Sequence, residues 1–448
     1  MELAILVAYG AMLLAIGIYS ALKIKNPNDY FVAGKRNGVL QVGGSLLATI
    51  LGGAAILGSI SLTGQQGWAA VWYLLCAALG LLFLLPIVRK ISRMGKFTLP
   101  ELMGRFYGEP ARKTASVIIP LAWLGIIAAQ IIAAAQVLGS FFGLDYSLGV
   151  FISGLVYILY TLIGGQISVL KTDFVQSVII LAGVVVTFFI LKERPELEPV
   201  PVWDTFPFNV HFSPVDLLIL ILTFSSTFVV GPDIYSRVFC ARNERVSQIS
   251  VLATALILIP FSFLLAYIGI CSFQISPEQE GTSALVQIIR AYLPGWGVGL
   301  MVAALLSAVL SSAATTLLTS AIIMSELFHK DIDNRRSYIQ TKYFVILIGI
   351  CSMLIALQVS SVIASLLLAL SFYSGAFIVP MAAALFNIPF SRKYSLWAMI
   401  LGGVISLSGK VSLSFFGFEY GNWIIVAGFA INAAILFLPG ERNIASLD

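Results

Sequence analysis

The sequence predicts an all-α integral membrane protein with about thirteen transmembrane helices in a single domain over residues 1–448. Charged residues make up 10% of the chain, against about 25% in an ordinary soluble domain. Mean hydropathy is +0.98. Apolar runs long enough to span a bilayer, about 17 to 25 residues each, recur between loops rich in charge, Pro, Gly and Asn. They lie near 3–22, 41–64, 68–90, 115–142, 147–165, 174–192, 215–235, 249–273, 296–326, 341–358, 361–387, 395–415 and 422–440. Runs too continuous to show a polar face read as helices, because an open sheet edge is not viable in lipid. The first begins "MELAILVAYG", without a basic leader or cleavage pattern, and reads as a retained span.

Orientation follows from the basic residues, since positive loops stay cytoplasmic. With the N-terminus outside, 22 of the 26 Lys and Arg fall on the inner side, leaving Lys192, Arg194, Arg290 and Lys410 outside. This places the N-terminus out and the C-terminus in, as in a multi-pass plasma-membrane protein. The net charge of +5 then reflects orientation in the bilayer and is no nucleic-acid signal. The four cysteines, Cys76, Cys240, Cys271 and Cys351, are too scattered for a metal site and read as small core residues. The two histidines, His211 and His329, sit in loops, so a metal or haem centre is not expected. The longest hydrophilic stretches, 91–114 and 193–214, are too short for a soluble catalytic domain; the second, rich in Pro and aromatics, is expected to be an ordered external loop. No obligate protein partner is evident, and function must lie among the helices.

Two spans look broken. The second, "GGSLLATILGGAAILGSISLTG", carries Gly52 and Gly53 in mid-membrane, and the seventh, "LTFSSTFVVGPDIYSRVF", carries Gly231-Pro232. Glycine pairs also let membrane helices pack closely. The two interruptions, however, are five spans apart, as expected of two inverted five-helix repeats that each open with a discontinuous helix at a central site. Spans 2–6 (residues 41–192) and 7–11 (215–387) form these repeats, with one helix before them and two C-terminal helices (395–440) after.

The ninth span, "VAALLSAVLSSAATTLLTSA", is rich in hydroxyls that must find partners in lipid. Ala308, Ser311, Ser312 and Thr315 follow i, i+3, i+4, i+7 spacing and share one face. Two hydroxyls with a few backbone carbonyls make an uncharged oxygen cage suited to a monovalent cation, sodium being the natural candidate. The same stripe also fits a small-residue helix interface with hydroxyls bonded back along the helix.

Four stretches then resemble the sodium/solute symporter family: "NPNDYFVAGKRNG" (26–38), "GGQISVLKTDFVQSVIILAG" (164–183), "SRVFCARNE" (236–244) and "SAVLSSAATTLLTSA" (307–321). The resemblance implies the five-plus-five inverted-repeat fold of the amino acid-transporter type. It implies a co-transported sodium held by the carbonyls of Ala48, Leu51 and Ala308 and the hydroxyls of Ser311 and Ser312. A second sodium in some members uses an acid matching Asp173 with hydroxyls matching Ser311 and Thr315, but Ala314 lacks a hydroxyl where one would help. Asp173 could instead serve as a helix N-terminal cap.

The solute site is expected between the broken helices, near Gly52, Gly53, Ala55, Phe224, Ser225 and Phe228, with contributions from Trp72 and Gln130. Gln130 could contact solute or bond between helices. "GGAAILG" offers a sugar few partners, so an amino acid or small carboxylate is favoured, its anion met by helix-end amides. The implied activity is sodium-coupled import by alternating access. The alternatives are a sensor that binds the same ligands without transport, or a symporter of another solute class such as a vitamin or sugar. A membrane-embedded enzyme is not expected, since no intramembrane His, acid pair or metal cluster stands out.

Overall fold

Hydrophobic continuity becomes helix throughout. The computed structural model describes residues 2–21, 30–31, 33–94, 98–197, 199–276, 281–328, 335–439 and 442–443. His329, residues 26–29 and 32 of the first matched stretch, and all but two residues of 440–448 fall outside these. The principal helices are α1 (Glu2–Ala21), α2 (Val39–Ile50), α3 (Gly53–Gln66), α4 (Val71–Leu84), α5 (Glu109–Phe142), α6 (Tyr146–Lys192), α7 (Pro214–Leu220) and α8 (Ser226–Val230). They continue with α9 (Pro232–Cys240), α10 (Glu244–Ile275), α11 (Gly295–Ser325), α12 (Arg335–Gln358), α13 (Val362–Leu385), α14 (Ser395–Phe416) and α15 (Gly421–Leu436). A two-residue antiparallel pair joins Phe390–Ser391 to Arg442–Asn443.

Among the described residues, nine helical stretches are long and apolar enough to cross a membrane, and three shorter apolar helices accompany them. The 47-residue α6 runs through two of the expected spans, with a break at Gly165 (φ 54, ψ −171). Only glycine suits that backbone. A Cβ there would also stand 2.4 Å from the Tyr30 ring.

α11 is the central helix: 83% of its most apolar window is buried, against 28% for α14. Hydroxyls on a helix buried on all sides must bond back along that helix or find partners on its neighbours, which makes α11 the place to look for the polar interior of the protein. The 193–214 segment is pinned to the end of α3 and the start of α4. Trp68 Nε1 donates to Val200 O at 2.6 Å, and Asn209 Nδ2 donates to Gln66 O at 2.8 Å. Of the four cysteines, three are buried and Cys351 is half-buried.

Candidate ion and solute site

The first interruption is a true break. α2 stops at Ile50, and Leu51 (φ −78, ψ 42) and Gly52 (φ −65, ψ 168) leave helical geometry before α3 starts. In a continuous helix the amides of residues 52, 53 and 54 would bond the carbonyls of 48, 49 and 50. Here Ser311 Oγ donates to Ala48 O at 2.9 Å and Ser312 Oγ to Thr49 O at 2.6 Å. The stranded amide of Ala54 donates to Gln130 Oε1 at 3.3 Å. α11 and α5 thus complete the groups that the break leaves open.

Ser311 Oγ lies 3.1 Å from Ala308 O as well, so Ala48, Ala308 and Ser311 bring three oxygens to one buried patch. Ser312 and Thr49 adjoin it. The carbonyl that α11 engages beside Ala48 is that of Thr49, a residue the sequence reading missed; Leu51, fully buried, occupies the break itself. A hydroxyl that now donates to a carbonyl can rotate its hydrogen away and present a lone pair, while carbonyl oxygens accept a cation without rearrangement. The patch can therefore trade two hydrogen bonds for coordination.

Close approach of the two backbones depends on glycine. A Cβ on Gly52 would stand 2.2 Å from Ser312 Oγ, and one on Gly53 would stand 2.0 Å from Val309 Cγ1. Gly52→Ala is therefore expected to push the break away from α11, costing about 1–3 kcal/mol by overpacking. Sodium-dependent thermal stabilisation should fall with it; an unchanged sodium response would refute the close approach.

The second interruption also appears where the sequence places it. Residues 221–225 form a π-helical turn, α8 ends at Val230, and Gly231 (φ −69, ψ 125) is extended before Pro232 opens α9. π-turns in otherwise α-helical runs commonly mark functional sites. Tyr235 Oη donates to Val229 O at 2.9 Å, and Tyr373 Oη donates to Val230 O.

Between the breaks lies a cavity of about 70 Å³. Gly52, Ala55, Gln130, Phe224 and Phe228 line it, as expected. Phe224 and Phe228 meet edge to face at 5.1 Å, and Tyr73 stacks on Phe224 at 4.7 Å. Three expected residues lie elsewhere. Gly53 faces Val309 and Ala133, and the Ser225 carbonyl packs against Gly80. Trp72 turns to the 193–214 segment, donating from Nε1 to Pro207 O at 3.0 Å and stacking on Phe206. A membrane-end tryptophan satisfies its N–H at the nearest carbonyl, which decides this placement. Trp123, Thr227 and Asp233 line the cavity without having been singled out from the sequence. An acid immediately after a Gly-Pro within a long apolar run was the available signal for Asp233.

Asp173 sits well inside α6, past the break at Gly165, so it caps no helix. It is 1% exposed and faces Arg237 of α9, which is 0% exposed. Arg237 Nη2 lies 3.4 Å from Asp173 Oδ2, and Ser45 Oγ donates to that same oxygen at 2.5 Å. The guanidinium also donates to Ser45 Oγ at 3.2 Å, to Ser236 Oγ at 2.7 Å and to Thr315 Oγ1. Two of the three residues implied at a second ion site, Asp173 and Thr315, are therefore partners of one arginine, while the third, Ser311, faces Ala48. Of the other α11 hydroxyls, Thr316 Oγ1 bonds back to Ser312 O at 2.7 Å, Ser307 Oγ meets Tyr9 Oη of α1 at 2.9 Å, and Thr319 Oγ1 is buried without a hydrogen-bond partner.

This geometry has counterparts. The family model described as "Sodium:solute symporter family" matches residues 30–194. The uncharacterized symporter YwcA of Bacillus subtilis is 22% identical over 439 residues, covering 90% of this chain and 84% of its own length. The chain is similar to sodium:solute symporters. The sodium/sialic acid symporter NanT of Aliivibrio fischeri is 23% identical over 352 residues, covering 72% of this chain and 69% of itself. Sodium/glucose cotransporter 4 of Danio rerio is 31% identical over 205 residues, covering 43% of this chain; the match spans only 30% of that relative's length. A solved Na+-coupled sialic acid symporter, substrate-bound and outward-open, shares the fold with a TM-score of 0.84 at 18% identity, covering 99% of this chain and 98% of its own.

Proposed function

We propose that this protein is a sodium-coupled symporter of the sodium:solute symporter family, importing a small organic solute by alternating access. The observation that carries the reading is the contact of Ser311 and Ser312 with the carbonyls of Ala48 and Thr49 where α2 breaks. One sodium bound there ties α11 to the broken helix and favours the state that accepts solute. By linkage, solute tightens sodium binding as much as sodium tightens solute. The membrane potential supplies work, about 2.3 kcal/mol per charge per 100 mV. In this reading residues 41–192 and 215–387 are the two inverted repeats, and the N-terminus faces outward in the plasma membrane.

The solute is an amino acid or small carboxylate. The cavity, about 70 Å³, is far below the roughly 300–1,000 Å³ of drug-sized sites. Its polar groups are few, which suits a compact solute over a polyhydroxylated one.

Purified protein in sealed vesicles tests the reading. An inward sodium gradient should drive accumulation of a solute found by thermal-shift screening with and without sodium, and replacement of sodium by potassium should abolish it. Because Arg237 holds both Asp173 and Thr315, the sodium dependence should follow a Hill coefficient near one. Sodium-independent uptake would remove the proposal, and a coefficient near two would restore a second ion.

A further inference from the structure

Asp233 is an acid without a counter-charge of its own in the wall of the solute cavity. It lies in the first turn of α9, directly after the Gly231-Pro232 break. Arg237, one turn further on, is within electrostatic reach, but its guanidinium bonds Asp173, Ser45, Ser236 and Thr315 and touches Asp233 only through the backbone carbonyl, at 3.5 Å. Among the described residues, the Asp233 carboxylate forms no ion pair and is met only by the backbone amides of Asp233 and Ile234 at the start of α9. One arginine thus stands between two acids and pairs with Asp173, leaving the cavity side one negative charge in excess.

A second, independent feature points to a ligand. Trp123, 2% exposed and lining the same cavity, has an indole Nε1 with no hydrogen-bond partner. Buried indole N–H groups ordinarily find acceptors. The remaining walls include Phe224 and Phe228, whose ring faces attract cations.

We infer that the solute carries a cationic nitrogen, received by Asp233 and the aromatic walls, together with an acceptor oxygen for Trp123 Nε1. The inference rests on the symporter reading of this cavity and narrows its solute class to amines, zwitterionic amino acids included, against plain carboxylates. An ammonium ion restores charge balance beside Asp233, whereas a carboxylate without nitrogen adds a second negative charge at the same wall.

Thermal stability of the purified protein tests this, in saturating sodium so that competition at the sodium oxygens cannot mimic binding. The probes are tetramethylammonium, methylammonium and the pair L-alanine and propionate. Ammonium probes should raise the melting temperature of the wild type, and propionate should not. Asp233→Asn should raise the ammonium concentration for half-maximal effect at least tenfold, while Asp233→Glu, which keeps the charge, should retain most of the response. Stabilisation by propionate but by no ammonium probe, no ammonium effect in the wild type, or an ammonium response unchanged in Asp233→Asn overturns the inference. Should Asp233→Asn fail to fold, the wild-type contrast between ammonium and propionate decides. The shift caused by sodium alone, and its loss on changing Ser311 and Ser312, reports separately on the symporter reading.

Discussion

Replacing Ser311 and Ser312 together by alanine is expected to abolish sodium-driven uptake and to raise the sodium needed for half-maximal stabilisation by at least about 100-fold. Each hydrogen-bonding group acting on a charge contributes about 1.5–3 kcal/mol, so two lost oxygens correspond to roughly 10² to 10⁴ in affinity. The same change leaves the Ala48 and Thr49 carbonyls without their α11 donors, which costs stability even without sodium. Ser320→Ala is the matched control. Its hydroxyl only bonds back to Thr316 O, at 2.7 Å, and its loss should leave the sodium response intact. A double alanine variant that keeps wild-type sodium dependence would remove these serines from the ion site.

Arg237→Met is expected to destabilise the protein by about 3–5 kcal/mol, because it strands a buried carboxylate without its partner. The pair is buried on both sides, with Arg237 0% and Asp173 1% exposed, so water cannot take over the solvation of Asp173. Neutralising both, as Arg237→Gln with Asp173→Asn, should recover most of the loss, since the surviving amides can still bond Ser45 and Thr315. Thermal unfolding of the single and double variants measures the coupling. A loss below about 1 kcal/mol in Arg237→Met would be the value of an exposed pair and would contradict the burial.

The backbone breaks were legible in the sequence because Gly52 and Gly231-Pro232 act locally, on the dihedral angles and amides of their own residues. The Ala308, Ser311, Ser312 stripe was legible for a similar reason: helical periodicity fixes which side chains share a face. What those faces meet depends on helices distant in sequence. Thr49 was not foreseen as the acceptor for Ser312, because the exact residue at which α2 stops decides which carbonyls are freed. Asp173 read as an ion ligand or a cap, and only the tertiary fold brings Arg237 to it, 64 positions away in the chain. Trp72 was expected to contribute to the solute site, but the 193–214 segment, with Pro207 as acceptor, holds its indole instead. Asp233 escaped notice because an acid after proline at a helix start has an ordinary role at the helix dipole.

The two joints in the broken helices are unequally furnished. At Val229 and Val230 the loose carbonyls are pegged by phenols, one of them from α13, whereas at Ala48 and Thr49 they are held by small hydroxyls free to swivel. Exchanging bath sodium for a bulky inert cation should therefore quicken amide deuteration around residues 48–55 while residues 229–235 keep their protection. Salt composition would then act as a hinge pin on one side of the molecule, and the other side would serve as the fixed jamb.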